Sequence, residues 1–142
     1  IGYLCEDITI SDCWANKSNK NATLKYHLHT NSYISGNYYI NFDPKIHSIL
    51  EFQNDRLDVK TRTPVLELNA NPSKKPLYNA STVGVNAKEG DMILWKSHMM
   101  HGYNEPNKGD NRITLSFNCV PLNLSDNKNF VLQTSPKINL GK

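Results

Sequence analysis

The chain has 142 residues, 38% hydrophobic and 20% charged, with a net charge of +3, which gives one core, a single domain over 1–142, and too much apolar content for disorder. Its basic residues are scattered and never form the dense stripe that a phosphate backbone requires, which argues against nucleic acid as a partner. No stretch approaches the ~20 apolar residues of a membrane span and no charged-then-apolar leader opens the chain, so no membrane partner and a soluble, cytoplasmic protein are expected.

Three cysteines, Cys5, Cys13 and Cys119, make an odd number without C-x-x-C spacing. They read as buried, reduced thiols, not as a disulfide framework or a thiolate metal site. The chain opens at Ile1 without a methionine, as a processed product or a fragment lacking an upstream segment would.

Helical periodicity is hard to find. Short runs rich in Tyr, Ile, Val, Leu and Phe recur between turn signals, and they predict strands near 3–16, 24–29, 34–41, 49–53, 64–68, 82–86, 91–95, 100–103, 112–120 and 130–134. The gaps hold breakers: Asn19 and Asn21, Asp43-Pro44, Asn71-Pro72, Glu89-Gly90-Asp91 and the run from Glu105 to Asp110. The fold class is therefore all-β, a sandwich or barrel, whose exposed edges leave room for a homodimer. Residues 54–81 are rich in Pro, Lys and Asn and predict a long loop, strand-like at its ends. Its basic residues Arg56, Lys60, Arg62, Lys74 and Lys75 suit a solvated face or a lid that closes on substrate.

The second predicted strand carries His27 and His29, which alternation turns to one face, with Tyr26 and Leu28 on the other. Two imidazoles on one strand face can meet one ion without bending the backbone. An isolated His-x-His is more often a pair of surface histidines, but a further imidazole downstream, His101, and a strand arginine, Arg112, shift the balance toward an ion with an anion anchor behind it. His98 precedes His101 by three residues and falls on the opposite strand face, and His47 after Pro44 reads as a solvated turn residue. In the 112–120 strand, Arg112, Thr114, Ser116 and Asn118 share one face, while Ile113, Leu115, Phe117 and Cys119 share the other and read as core. A polar face on an inner strand needs partners.

Trp14-x-Asn16, His27-x-His29, Ser35-Gly36-x-Tyr38-Tyr39-Ile40, Gly90-Asp91-x-Ile93-Leu94-Trp95, His101 and Arg112-Ile113-Thr114-Leu115-Ser116-Phe117-Asn118 together resemble a family of 2-oxoglutarate/Fe(II)-dependent oxygenases of bacteria and bacteriophages, related to prolyl 4-hydroxylases. The resemblance runs from about Trp14 to Asn118. It implies a double-stranded β-helix, or jelly roll, and a non-haem Fe(II) dioxygenase that oxidises 2-oxoglutarate to succinate and CO₂ while O₂ hydroxylates a C–H bond of a peptide side chain or small molecule. Carried over by motif, the metal ligands are His27, His29 and His101. His29 stands where the wider superfamily has a carboxylate, which leaves the site one unit more positive. Arg112 is the implied anchor for the far carboxylate of 2-oxoglutarate, with Thr114 beside it, and Asn16, Ser35 and Tyr38 are candidates to complete the cosubstrate pocket. Trp95, Met99 and Met100 would keep it dry. Three neutral ligands also suit a cupin-like metal- or ligand-binding protein without redox turnover.

Overall fold

The computed structural model describes residues 5, 7–53, 71, 73–74, 80–122, 124–125 and 131–132. Ten strands run along them: β1 (Asp7–Ser18), β2 (Leu24–His27), β3 (Ile34–Asn41), β4 (Leu50–Gln53), β5 (Thr82–Val85), β6 (Met92–Lys96), β7 (His101–Tyr103), β8 (Arg112–Leu122), β9 (Leu124–Ser125) and β10 (Val131–Leu132). Among the described residues no helix is long and apolar enough to cross a membrane. The strand expected at 64–68 and most of the loop expected over 54–81 lie outside the described residues; of that loop's basic residues only Lys74 is described, and it is exposed.

The strands form two four-stranded sheets, ordered β1-β8-β3-β6 and β2-β7-β4-β5, with β9 and β10 paired separately. Every pairing is antiparallel, and the pairs are nested: β1 with β8, β2 with β7, β3 with β6, β4 with β5. Nesting of this kind folds one long two-stranded ribbon back and forth, so successive strands land in alternate sheets and the result is a β-sandwich arrangement. Apolar contacts join the sheets at one end, where Phe52 of β4 meets Trp95 of β6 edge to face with ring centroids 5.4 Å apart. A second cluster of Tyr39, Phe42 and Ala87 sits beside it. The turn after Ala87 closes through Gly90 at φ 87°, a backbone state that glycine adopts without steric penalty.

The polar face of β8 is buried, as its need for partners implied: Arg112, Thr114, Ser116 and Asn118 point between the sheets. What the structure corrects is the reading of the other face as core. The apolar face is turned outward and shares that surface with the paired residues of β3 and β6, since Leu115 lies opposite Tyr38, Tyr38 opposite Met92, and Phe117 opposite Gly36. Met92 and Leu94 on this surface are each 57% exposed. Phe117 is buried all the same, tucked against the bare backbone of Gly36, where an added Cβ would stand 2.4 Å from its ring.

His47 is also corrected. The ring is buried, not solvated: its Nδ1 accepts from the Asp43 N–H at 3.1 Å and its Nε2 donates to the Asp110 carbonyl at 2.8 Å, so it ties two turns together. Of the thiols, which are all free, only Cys119 is buried; Cys5 is half-buried and Cys13 exposed.

Candidate metal and cosubstrate site

Between the sheets lies a cavity of about 220 Å³, lined from β1, β2, β3, β6, β7 and β8. Small against the ~300–1,000 Å³ of drug-sized pockets, it has room for a small acid and not for a folded partner.

Three imidazoles converge on it. The antiparallel pairing of β2 with β7 sets His27 directly opposite His101. Gly102 permits that approach, because a Cβ there would stand 2.6 Å from the Leu24 carbonyl and 2.9 Å from the Tyr26 nitrogen. His29, just past β2, is held by its own N–H donating to the Ser97 carbonyl at 2.9 Å. Ring centroids lie 4.4 Å apart for His27 and His101, and 5.2 Å from His29 to each of the others. One nitrogen from each ring falls within 4.8 Å of the other two. Nitrogens sharing one ion at about 2.1 Å are at most about 4.2 Å apart, so a small ring rotation closes the set. His98 is exposed and outside the cluster.

The rings are suited to ligation electrostatically as well. Burial pushes the His101 pKa down to about 4, the Met99 carbonyl opposing and the charges of His27 and His29 adding. His29 is also lowered, first by burial and then by His27, against the Asp12 carboxylate. Neutral imidazole, the form that binds metal, is thus favoured at neutral pH. Trp95 packs on His101 with centroids 4.8 Å apart, while the Met99 side chain is exposed and Met100 half-buried. Of these three, Trp95 alone lines the cavity.

Arg112 lies on the same inward strand face as Asn118, with about 20 Å of β8 between their Cα atoms. It is only 3% exposed. Its guanidinium is stacked among Tyr103, Phe42 and Tyr39 at 4.8, 5.4 and 5.8 Å from the ring centroids. Nε donates to the Ser48 carbonyl at a long 3.3 Å, and Nη2 is buried without a partner. The Thr114 hydroxyl, the Tyr39 hydroxyl and the Trp95 indole N–H are buried and unpartnered too. Buried polar atoms are almost always satisfied. A cation and a hydroxyl left open on adjacent inward positions of one strand suit an anion with oxygen acceptors, such as a carboxylate.

The other expected pocket residues divide. Asn16 and Ser35 line the cavity, but both are already engaged: Asn16 Nδ2 donates to Ser116 Oγ at 2.7 Å, and Ser35 Oγ donates to Asn118 Oδ1 at 2.7 Å. Ser116 in turn donates to Asn37 Oδ1. Tyr38 is 37% exposed and faces outward, away from the cavity. Tyr39, fully buried beside Arg112, is the tyrosine that sequence reasoning passed over. Strand parity could have found it, since only odd-numbered residues of β3 share the face of Ser35.

A family model described as "Putative 2OG-Fe(II) oxygenase" matches residues 12–118, more than half of the chain. No curated protein matches the chain significantly.

Proposed function

From the premise that the chain belongs to this 2OG-Fe(II) oxygenase family, we propose that it is a non-haem Fe(II), 2-oxoglutarate-dependent dioxygenase that hydroxylates a C–H bond of a peptide side chain or a small molecule. One observation carries the reading: a cavity that gathers three imidazoles also holds a buried guanidinium and a threonine hydroxyl with open hydrogen-bonding positions. The nested strand pairing supports the double-stranded β-helix that such enzymes are expected to have.

His27, His29 and His101 would hold the iron. When bound, the iron with 2-oxoglutarate supplies activation of O₂ for oxidation of an otherwise inert C–H bond. Three neutral ligands leave the dipositive charge of the ion uncompensated, which draws a dianionic keto acid into the cavity. Arg112 receives the far carboxylate through paired N–H donors, and the Thr114 and Tyr39 hydroxyls complete its hydrogen bonds. Trp95 and Phe52 pack around His101 and exclude water from the metal side. Because the cavity is small, a bulky substrate meets the site at its rim, where Trp14 stands 6.1 Å from His29 between ring centroids.

The test is anaerobic loading with Fe(II), then succinate release from 2-oxoglutarate on admission of O₂. His101→Ala should abolish both iron retention and succinate. Tightly held native zinc with no affinity for 2-oxoglutarate would instead favour the cupin-like binding protein, which a cluster of three imidazoles with no carboxylate among the described residues also suits.

A further inference from the structure

β2 meets β7 out of step, and the step decides which way His27 points. Leu24 lies opposite Tyr103 and His27 opposite His101, so a three-residue advance along β2 is matched to a two-residue advance along β7. That is a β-bulge, with one residue more on one strand than on its partner. Leu24 and His27 both line the cavity, although regular alternation would put residues three apart on opposite faces. An unbulged ladder continued from Leu24 and Tyr103 would set Lys25 against Gly102 and Tyr26 against His101. Tyr26 would then face the cavity and His27 would face away, because a slip of one residue turns every side chain over.

Little in the backbone holds the bulged register. β2 is four residues long and is an edge strand, with β7 as its one neighbour among the described residues. Its two ladder positions with β7 stand on either side of the irregularity. A side chain makes up the deficit. The Tyr26 hydroxyl donates to Glu51 Oε2 at 2.5 Å in a half-buried setting. Glu51 belongs to β4, on the far side of β7, and lies opposite Gly102. Its neighbours Leu50 and Phe52 are buried in the core, which turns Glu51 to the outer face of the sheet. Gly102 is the residue of β7 on that face, since His101 and Tyr103 line the cavity. The bulge lies directly against it: a Cβ on Gly102 would stand 3.0 Å from Tyr26 Cα. The phenol therefore crosses β7 over its bare glycine and ties β2 to β4.

We infer that Tyr26 and Glu51 are positioning residues for the metal site: their hydrogen bond across Gly102 holds β2 in the bulged register that turns His27 toward His101. This rests on the reading of the three histidines as metal ligands. The bond exists in one register only. With Tyr26 turned into the cavity, its hydroxyl and the Glu51 carboxylate would lie on opposite faces of the sheet, and His27 would point away from the ion. A hydrogen bond to a carboxylate made in one of two pairings shifts the balance toward that pairing. His29 follows His27 by two residues and would be carried with it. The pair touches neither the ion nor the cosubstrate and acts entirely through the strand.

The test compares Zn(II) affinity, by chelator competition, with thermal melts of the metal-free protein for the wild type, Tyr26→Phe, Glu51→Leu and Glu51→Gln. Tyr26→Phe keeps the ring and deletes only the hydroxyl. It and Glu51→Leu should each weaken Zn(II) binding roughly tenfold, within the range seen for residues that support metal ligands. The double variant should bind no more weakly than either single one, as expected of two partners in one bond. Glu51→Gln keeps an oxygen that accepts from the phenol and should retain near-wild-type affinity. In the metal-free protein the nuclear Overhauser contact between the His27 and His101 rings, whose centroids are 4.4 Å apart, should fade in Tyr26→Phe. A Tyr26→Phe protein that melts earlier but keeps both its Zn(II) affinity and that ring contact overturns the inference. Should Tyr26→Phe fail to fold, equal affinities of Glu51→Leu and Glu51→Gln overturn it instead. A wild-type protein that takes up no Zn(II) defeats the metal-site reading and the positioning role with it, whereas a wild type and a Tyr26→Phe variant that bind Zn(II) equally defeat the positioning role alone.

Discussion

Replacing Arg112 by methionine should separate binding from stability by moving them in opposite directions. In the ligand-free protein the guanidinium is 3% exposed, has no carboxylate partner among the described residues, and makes one long hydrogen bond, from Nε to the Ser48 carbonyl at 3.3 Å. Three aromatic rings surround it, each worth roughly 0.5–2 kcal/mol to a cation. Against that stands a desolvation penalty of several kcal/mol for a buried ion, so an apolar side chain of similar length should leave stability unchanged or raise it. Binding moves the other way. Hydrogen bonds to a charged partner contribute about 1.5–3 kcal/mol each, so losing two of them from a cosubstrate carboxylate weakens binding by at least about 100-fold. Calorimetric titration of 2-oxoglutarate into the Mn(II)-loaded protein reads the affinity. Thermal melts read the rest: at 100 times its Kd the keto acid should add about 2.7 kcal/mol to the wild type and almost nothing to the variant. An R112M protein that binds 2-oxoglutarate normally, or that unfolds in the absence of ligand, would refute the assignment of this arginine as an anchor.

Other substitutions and conditions probe the imidazole end. Gly102→Ala sets a Cβ against the backbone of Leu24 and Tyr26, which cannot rotate aside, so β2 must part from β7; we expect a loss of roughly 1–3 kcal/mol in urea unfolding together with weaker metal retention. His98→Ala, outside the cluster, should keep full metal content by elemental analysis, whereas His27→Ala should lose it. Stability of the metal-free protein should decline with acid. The folded pKa of His101 is about 4 against an ordinary 6.5, so the unfolded chain takes up the proton first, and stability present above about pH 6.5 is lost as pH falls toward 4, by no more than about 3 kcal/mol. The lowered pKa of His29 acts in the same sense. A urea midpoint that stays flat over this window would count against neutral, buried rings.

Strand positions were legible in the sequence because β-branched and aromatic runs alternate cleanly between turn residues; β3, β4, β5, β6 and β7 fall within a residue or two of the expected spans. What alternation cannot reveal is which of two faces meets the other sheet. In β8 the usual apolar-in rule points the wrong way, since the space between the sheets at this end is a polar cavity and Ile113 and Leu115 turn outward. His47 was misread for another reason. Its partner, the Asp110 carbonyl, is distant in sequence, and local turn signals hold no trace of it. The same holds for Asn118, whose buried amide finds its partners on Asp12, Ser35 and His29, in three other parts of the chain.

These features share one energetic logic. The two apolar clusters, Leu50, Phe52 and Trp95 in one and Tyr39, Phe42 and Ala87 in the other, supply the dry contacts of the sandwich. Along β8 the inward positions are instead given to Arg112, Thr114, Ser116 and Asn118, where apolar side chains would have added stability. Ser116 and Asn118 recover their desolvation through internal hydrogen bonds, and Arg112 and Thr114 do not. A buried cation and hydroxyl left open raise the free energy of the empty protein, and a ligand that satisfies them recovers it on binding. Affinity for the cosubstrate and stability of the ligand-free fold should accordingly trade against each other at Arg112 and Thr114.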